Sequence, residues 1–421
     1  MADKNEIEIT QHGEKSVAIV ANAGSVVTLL DKQRFEDVSA ALENYTSEIG
    51  SCHIERKETG TLLEWLRNTQ EPNGSERFER RISILLGKAG SGKSVVMKDI
   101  LLSLQKDPEY RVLAFKSDIF YDGEDNRDLN EKARLGQSVI EAIRESAKKQ
   151  RTILLIDQID ALSAVLSSRR KPLDEMMGLI KQAAQIPNVR VVTSCRPYDF
   201  YYDQKFADLK NCYQVVVRDL EKEEVKRVLE ENGVLVDSAY SEELIALLSN
   251  PLNLSLFCAI RPDANTFSVK TLTDLYGYLW DKILDDYPED PERLVACLWA
   301  YASQLYQRQT LSMSTALFPS KWHDEKKYLL SRGILVENNG VYQFMHQTLF
   351  DYVFARLFFE QHQTLEDMFE KEHQGLFMRN HLKQILEYQR ATDNEGFLQN
   401  VRTILFEKTP DRFNYKYRFH I

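Results

Sequence analysis

Eight consecutive residues carry the clearest chemistry in this chain. Gly87, Lys88, Ala89, Gly90, Ser91, Gly92, Lys93 and Ser94 spell G-x-x-x-x-G-K-S, and Val95 opens an apolar run behind them. The glycines let successive backbone N–H groups converge on one anion, and a helix starting near Lys93 adds its positive end. A lysine in that place reaches the β- and γ-phosphates of a nucleotide, and the serine after it ligates Mg²⁺. A Gly/Ser-rich connector is the bland alternative. Here, however, the loop has the strand-like ISILL (82–86) before it and the helix-like VVMKDILLSL after it.

Other positions could complete a phosphate site. The run TILLI (152–156) ends in Asp157, at the sheet edge where α/β folds place ligands, so Asp157 and Ser94 form the expected Mg²⁺ pair. Asp160 is the candidate to polarise an attacking water, or it caps the next helix. After VRVVT (189–193) comes Ser194-Cys195-Arg196-Pro197, where Arg196 is either a γ-phosphate ligand or a surface arginine at a strand end. Lys93, Asp157, Asp160 and Arg196 are therefore the catalytic candidates.

Such residues need a scaffold to hold them. The apolar runs ISILL, RVLAF (111–115), TILLI, VRVVT and YQVVV (213–217) alternate with helical stretches at 94–104, 129–149 and 171–184. That alternation predicts a mostly parallel sheet with helices on both faces. The VRVVT strand, lying between the two motif strands, implies the order 5-1-4-3-2. Residues 1–32, rich in Ile and Val and broken by Gly13 and Gly24, read as short strands with turns. A helical pattern follows to about residue 67, with a break around Gly50 and Gly60, and Asn73-Gly74 marks a turn. Beyond Leu220 the pattern is helical, interrupted by GILVENNGVYQFM (333–345), which reads as a hairpin at Asn339-Gly340. TLFDYVFARLFF reads as a core helix, and Arg169-Arg170-Lys171 as a solvated loop or an arginine finger acting in trans.

Composition narrows the classes. There are 54 Lys and Arg against 64 Asp and Glu, a net charge of −10, which argues against a surface that grips nucleic acid throughout. A hydrophobic share of 43% excludes a mainly disordered or fibrous chain. No run approaches the ~18 apolar residues of a membrane span. MADKNEIEIT lacks a secretory leader, and five scattered cysteines without CxxC spacing read as reduced core thiols, so the expected location is cytoplasmic.

The ordered set of the loop, LLIDQID, TSCRP, SNPLNLSLF (249–257) and FMHQTLFDYVFA (344–355) resembles the STAND NTPases. Within them it is most similar to the NACHT-like group, which includes animal inflammasome receptors and bacterial antiphage proteins. The resemblance implies an α/β P-loop NTPase core (76–220), a helical lid (221–285), a winged-helix domain (286–360) and the start of an α-helical region (361–421). Ahead of these lie the β-rich segment 1–32 and a helical linker, 33–75, with an adenine-side segment. In that segment HIERKE (53–58) resembles the family's adenine-side motif, which assigns Ile54 and Arg56 to the base, with Glu55 replacing the family glycine. Pro251 matches the lid proline that closes over the base. His346 matches a histidine, after the winged-helix hairpin, that contacts the β-phosphate of ADP. Two departures stand out. Gln158 replaces a small residue and Ala161 replaces the second acidic one, which leaves Asp160 alone to activate water and implies slow hydrolysis.

The resemblance thus implies an ATP/ADP-gated, Mg²⁺-using signalling switch that hydrolyses ATP slowly and self-associates on activation, in bacterial antiviral defence. It further implies an unidentified activating ligand, such as a phage protein, and an effector that is a separate chain or is missing here. The rival is a DNA-acting ATPase or transcription regulator using its winged helix. KWHDEKKYLLSRG is mixed in charge and ENNGVYQ carries no base, so a nucleic-acid partner is the weaker expectation, and no membrane partner is expected.

Overall fold

The computed structural model describes residues 23–68, 78–117, 129–164, 171–234, 242–260, 271–308, 310–338, 340–365, 368 and 376–403. A two-residue ladder of β1 (Glu48–Ile49) and β2 (Cys52–His53) precedes the main sheet. That sheet is formed by β3 (Ile82–Leu86), β4 (Tyr110–Lys116), β5 (Arg151–Asp157), β6 (Val189–Cys195) and β7 (Tyr213–Val216). All four ladders are parallel and the order is β4-β5-β6-β3-β7. Numbered within the sheet, this is 5-1-4-3-2, as expected.

The inner strands are buried on both faces, which is why they read as unbroken apolar runs. Val112, Ala114, Ile153 and Leu155 pack on Val96, Met97 and Ile100 of the helix Lys93–Gln105. Leu113, Phe115, Leu154 and Ile156 pack on Val139 and Ile143 of the helix Val139–Ala147 and on Met176 and Ile180 of the helix Lys171–Ala184. The stretch 129–149 is not one helix, as expected, but two. Leu129–Ala133 ends at Arg134 (φ +50) and Gly136 (φ +75), and Ser138 caps the next helix by accepting from Glu141 N.

The β-rich expectation for 1–32 is corrected where the structure describes it: the helix Ala23–Glu43 begins inside that segment, and 1–22 lie outside the described residues. Its later turns explain why helix wins. Phe35 and Leu42 are buried, and Ser39 Oγ accepts a hydrogen bond from Ala114 N on the edge strand β4 at 2.9 Å. Burying such side chains is worth roughly 1.5–3 kcal/mol each, against a few tenths per β-branched residue for helix propensity. The helix also covers an otherwise open sheet edge. Gly60, expected at a break, lies inside the helix Lys57–Arg67 with open space around it. Gly50 does turn the chain, at φ +63.

The second half is helical: Lys222–Glu231, Glu242–Leu248, Pro251–Ile260, Leu272–Asp285 and Pro291–Arg308. A three-stranded antiparallel sheet follows, with β8 (Ser312–Ser314), β9 (Leu335–Asn338) and β10 (Val341–Phe344) in the order β8-β10-β9. The hairpin β9–β10 matches expectation, with Gly340 at φ +79, while Asn339 lies outside the described residues. β8 went unforeseen. The helices His323–Ser331, Gln347–Glu360, Leu376–Thr392 and Asn394–Arg402 complete this half. Gln347–Glu360 buries nine side chains and is the expected core helix. One apolar core runs from Ile49, Cys52 and Ile54 through Val228 and Leu254 to Phe354 and Leu386. Asn232 Nδ2 adds a bond to the Ile49 carbonyl at 3.2 Å, so the β1–β2 segment is stitched to the helices after the sheet. All five cysteines are buried and free, as expected.

Candidate functional site

The loop between β3 and the helix Lys93–Gln105 adopts the backbone that its glycines permit. Gly90 has φ +74, and Gly92, the helix N-cap, has φ +93. Lys93 folds back over the loop, and its Nζ donates to the Gly87 carbonyl at 2.7 Å and the Lys88 carbonyl at 3.0 Å. Burial lowers its pKa, an effect opposed by the charges of Asp160 and Asp157. Ser91 keeps a buried hydroxyl without a hydrogen-bond partner inside the same loop. A cradle with a buried ammonium and an unsatisfied hydroxyl fits a phosphate group.

The structure brings Ser94 and Asp157 together. Ser94 Oγ donates to Asp157 Oδ2 at 2.7 Å, and Ser194 Oγ donates to Asp157 Oδ1 at 2.6 Å. Both carboxylate oxygens are thereby oriented, and Asp157 is fully buried. A hydroxyl and a carboxylate at this spacing fit a hard divalent cation that also takes phosphate and water oxygens. Gln158 follows at φ +57, a left-handed conformation uncommon for residues other than Gly, Asn or Asp. Its backbone N–H donates to Ser194 Oγ at 2.8 Å, and its side-chain amide reaches Ser94 Oγ at 3.2 Å.

Asp160 and Arg196 also meet, as an ion pair. Arg196 Nε lies 3.1 Å from Asp160 Oδ2, and its backbone N–H donates to Asp160 Oδ1 at 3.2 Å. Asp160 is buried and the guanidinium is partly exposed. The other end of Arg196 reaches across to the C-terminal half, where Nη2 donates to Gln347 Oε1 at 2.6 Å.

His346 caps the helix Gln347–Glu360. Its Nδ1 accepts from Thr348 N at 3.2 Å, which leaves Nε2 as the protonated nitrogen of a neutral ring. Burial pushes its pKa down to about 3, helped by the charges of Arg196, Lys116 and Lys93. Gln347, the next residue, takes the Arg196 contact, which places this helix N-terminus beside the C-terminal edge of the sheet. One turn on, Asp351 is buried 3.5 Å from His381 Nε2 on the helix Leu376–Thr392. Burial raises the Asp351 carboxyl to about 7, against the pull of Arg196.

The lid residues sit directly on the loop. Asn250 Nδ2 donates to the Ala89 carbonyl at 3.0 Å, and Leu252 N donates to the Gly90 carbonyl at 3.3 Å. Pro251 is the first residue of its helix, with Cγ 3.9 Å from where a Gly92 Cβ would stand. On the far side, Arg56 donates to the Arg218 carbonyl and lies 3.5 Å from Glu58. Ile54 is buried in the lid-side core. Ile54 and Arg56 therefore line the junction where the chain leaves β7 for the lid, while Lys88 pairs with Asp219 at 3.4 Å beside them. Val95 is partly buried in the first turn of the loop helix. Arg169 and Arg170 lie outside the described residues.

Sequence reading gave no role in the site to Asn250 and Gln347, and Ser194 stood only in the segment before Arg196. Asn250 and Gln347 had a usable signal in standing directly beside Pro251 and His346, but the atoms they contact become visible only through tertiary placement.

No curated protein matches the chain in sequence. Among solved structures it is similar to a Walker-type ATPase of Pyrococcus abyssi, at 14% identity, 74% of this chain, 99% of that chain and a TM-score of 0.36. It is also similar to a STAND protein with a tetratricopeptide repeat sensor from Pyrococcus horikoshii, at 12% identity and a TM-score of 0.41. That likeness covers 90% of this chain and 55% of the other. Domain III of the Thermotoga maritima replication initiation protein DnaA shares 16% identity over 53% of this chain and 90% of that chain, with a TM-score of 0.34. The family model described as Novel STAND NTPase 1 (nSTAND1) matches residues 42–255. That match runs through more than half of the chain, from the end of the first helix to the lid helix over the loop, and by it this chain belongs to the Novel STAND NTPase 1 family, with an α/β P-loop NTPase fold.

Proposed function

We propose that the chain is a nucleotide-gated switch that holds ADP in a closed state, exchanges it for ATP, hydrolyses ATP slowly and self-associates in the ATP state. Arg196 carries this reading: one guanidinium is shared between Asp160 of the core and Gln347 of the C-terminal half. A terminal phosphate would compete with Gln347 for that guanidinium, because Arg binds phosphate oxygens more strongly than a neutral amide. His346 supplies the opposite preference, since a neutral Nε2–H can donate to a diphosphate without charge. A ligand shifts such an equilibrium only by its difference in affinity for the two states, so both contacts are needed.

Mg²⁺, held by Ser94 and Asp157, would neutralise phosphate charge when bound. Asp160 is engaged by Arg196, which supports slow turnover. The order of helix, β8, helix, β9 and β10 supports reading this part as a winged helix that packs rather than reads DNA. The NACHT-like subgroup, an antiviral role, an activating ligand and a separate effector rest on the family resemblance alone. The test is to denature the purified full chain, chromatograph what it releases, and compare its mass with and without a non-hydrolysable ATP analogue. ADP in a monomer and a larger particle with the analogue are expected. Release of no adenine nucleotide, or an unchanged mass, rejects the reading.

A further inference from the structure

The segment between the first helix and β3 closes on itself as the ladder of β1 and β2, which pairs Glu48 with His53 and Ile49 with Cys52. Its two faces do different things, because successive side chains on a strand point to opposite sides. Ile49 and Cys52, with Ile54 beyond them, are buried in the core of the second half. At the tip, Gly50 turns at φ +63 with no room for a Cβ beside Asn232 Oδ1. Asn232, at the end of the helix Lys222–Glu231, also donates to the Ile49 carbonyl. The other face meets the phosphate-loop helix Lys93–Gln105. Two adjacent residues of that helix grip the hairpin, one before its start and one at its far end. Lys98 Nζ donates to the Tyr45 carbonyl at 2.7 Å, and Asp99 Oδ2 lies 3.3 Å from His53 Nε2. The hairpin thus joins the helix that carries Lys93 and Ser94 to the helix that opens the lid.

Asp99 is the more enclosed partner, with its side chain 17% exposed against 37% for His53. Burial pushes the Asp99 carboxyl up from its ordinary value, opposed by His53 and Lys98. The other charged groups beside the pair are Glu48 across the ladder, Glu55 two residues on and Lys98 on the helix. Arg227 and Glu231 of the lid helix act on Cys52, on the opposite face. We propose that His53 is a positioning residue for the nucleotide site: its protonated ring holds the hairpin to Asp99, which keeps the lid against the phosphate loop and slows nucleotide release. This rests on the nucleotide-site reading above and adds a dependence on pH to it. A histidine suits the role because its charge changes between about pH 5 and 8. When the ring loses its proton, the partly enclosed carboxylate loses a compensating cation and the hairpin loosens from the helix.

The test follows release of a fluorescent ADP analogue from the full chain between about pH 5 and 8, in the wild type, His53→Gln, His53→Arg and Asp99→Asn. Release from the wild type is expected to quicken about threefold across that range, beyond any change in His53→Arg, which should stay slow throughout. His53→Gln and Asp99→Asn should release at the fast rate at every pH. The nucleotide's own ionisation and the Asp351 carboxyl act alike in all of these proteins, so the difference between wild type and His53→Arg isolates the ring. A pH step that survives in either His53→Gln or Asp99→Asn overturns the proposal, as does equal release from His53→Arg and His53→Gln. Should His53→Arg fail to fold, the other two variants decide: loss of the step from both supports the proposal and its survival in either overturns it. Failure of the wild type to bind the analogue overturns the site reading itself instead.

Discussion

Asn250 closes the lid onto the phosphate loop by donating its side-chain amide to the Ala89 carbonyl, 161 residues earlier in the chain. The adjoining bond from Leu252 N to the Gly90 carbonyl makes a two-point contact. Loop and lid therefore form one surface, and what binds under the lid must share that surface with the loop.

Gly90→Ala should separate them. A Cβ there would stand 2.6 Å from Asn250 Oδ1 and 2.7 Å from Leu252 Cβ, on a backbone at φ +74. The expected result is a stability loss of about 1–3 kcal/mol and faster proteolysis at the lid. Asn250→Ala should raise nucleotide release several-fold without the steric clash, measured with a fluorescent nucleotide. Unchanged release in Asn250→Ala would remove the lid from the binding surface.

Gln347→Ala should loosen the junction between the core and the C-terminal half while leaving the phosphate loop intact. A hydrogen bond to a charged group is worth about 1.5–3 kcal/mol. Release of ADP should therefore quicken by roughly tenfold or more, and size exclusion should shift at lower analogue concentration. Arg196→Ala should do the same and also weaken the triphosphate analogue. If both variants behave alike towards the analogue, Arg196 does not sense the terminal phosphate.

Gln158→Gly should stabilise the fold slightly or leave it unchanged, because it relieves a left-handed conformation at a cost in unfolded-chain entropy. It also removes the amide at Ser94 Oγ, so Mg²⁺-dependent nucleotide binding should tighten rather than weaken. A marked drop in melting temperature would show that the Gln158 side chain is a structural member of the site.

Two groups give stability opposite dependences on pH. His346 has a folded pKa of about 3 against 6.5 in the unfolded chain, so the unfolded state protonates first. Its effect is a loss of stability as pH falls below 6.5 towards 3. Asp351 goes the other way, about 7 folded against 3.8 unfolded. Its contribution is complete below 3.8 and is lost as pH rises through 7. Calorimetry of Asp351→Asn should show a flatter decline between about pH 4 and 7, and His346→Gln should show less acid sensitivity below about pH 6. Parallel curves for wild type and variants would remove these residues as the cause.

Legibility in the sequence followed burial. Each strand of the main sheet was found to within two residues at either end, most sharply at β3 and β5, whose apolar runs are buried. β8 escaped because Ser312-Met313-Ser314 is a strand only through its pairing with β10. Ala23–Glu43 was misread because Val26, Val27, Leu29 and Leu30 look β-like, while the reason for the helix, Ser39 against Ala114, lies 75 residues away. At the candidate site, the meeting of Ser94 with Asp157 followed from motif spacing. That Arg196 would hold Asp160 and Gln347 together did not, since neither partner is near it in sequence.

The bond from Asn232 to Ile49, with Ile49, Cys52 and Ile54 packed into the helical core, ties the chain ahead of the sheet to the chain after it. Residues 48–54 therefore belong to the core of the second half, although Phe35 and Leu42 before them pack on the sheet. The segment is thus held by the helical core, and Arg56 rejoins the sheet body at the Arg218 carbonyl. The two cores are therefore joined by two crossings of the chain, one ahead of β3 and one after β7.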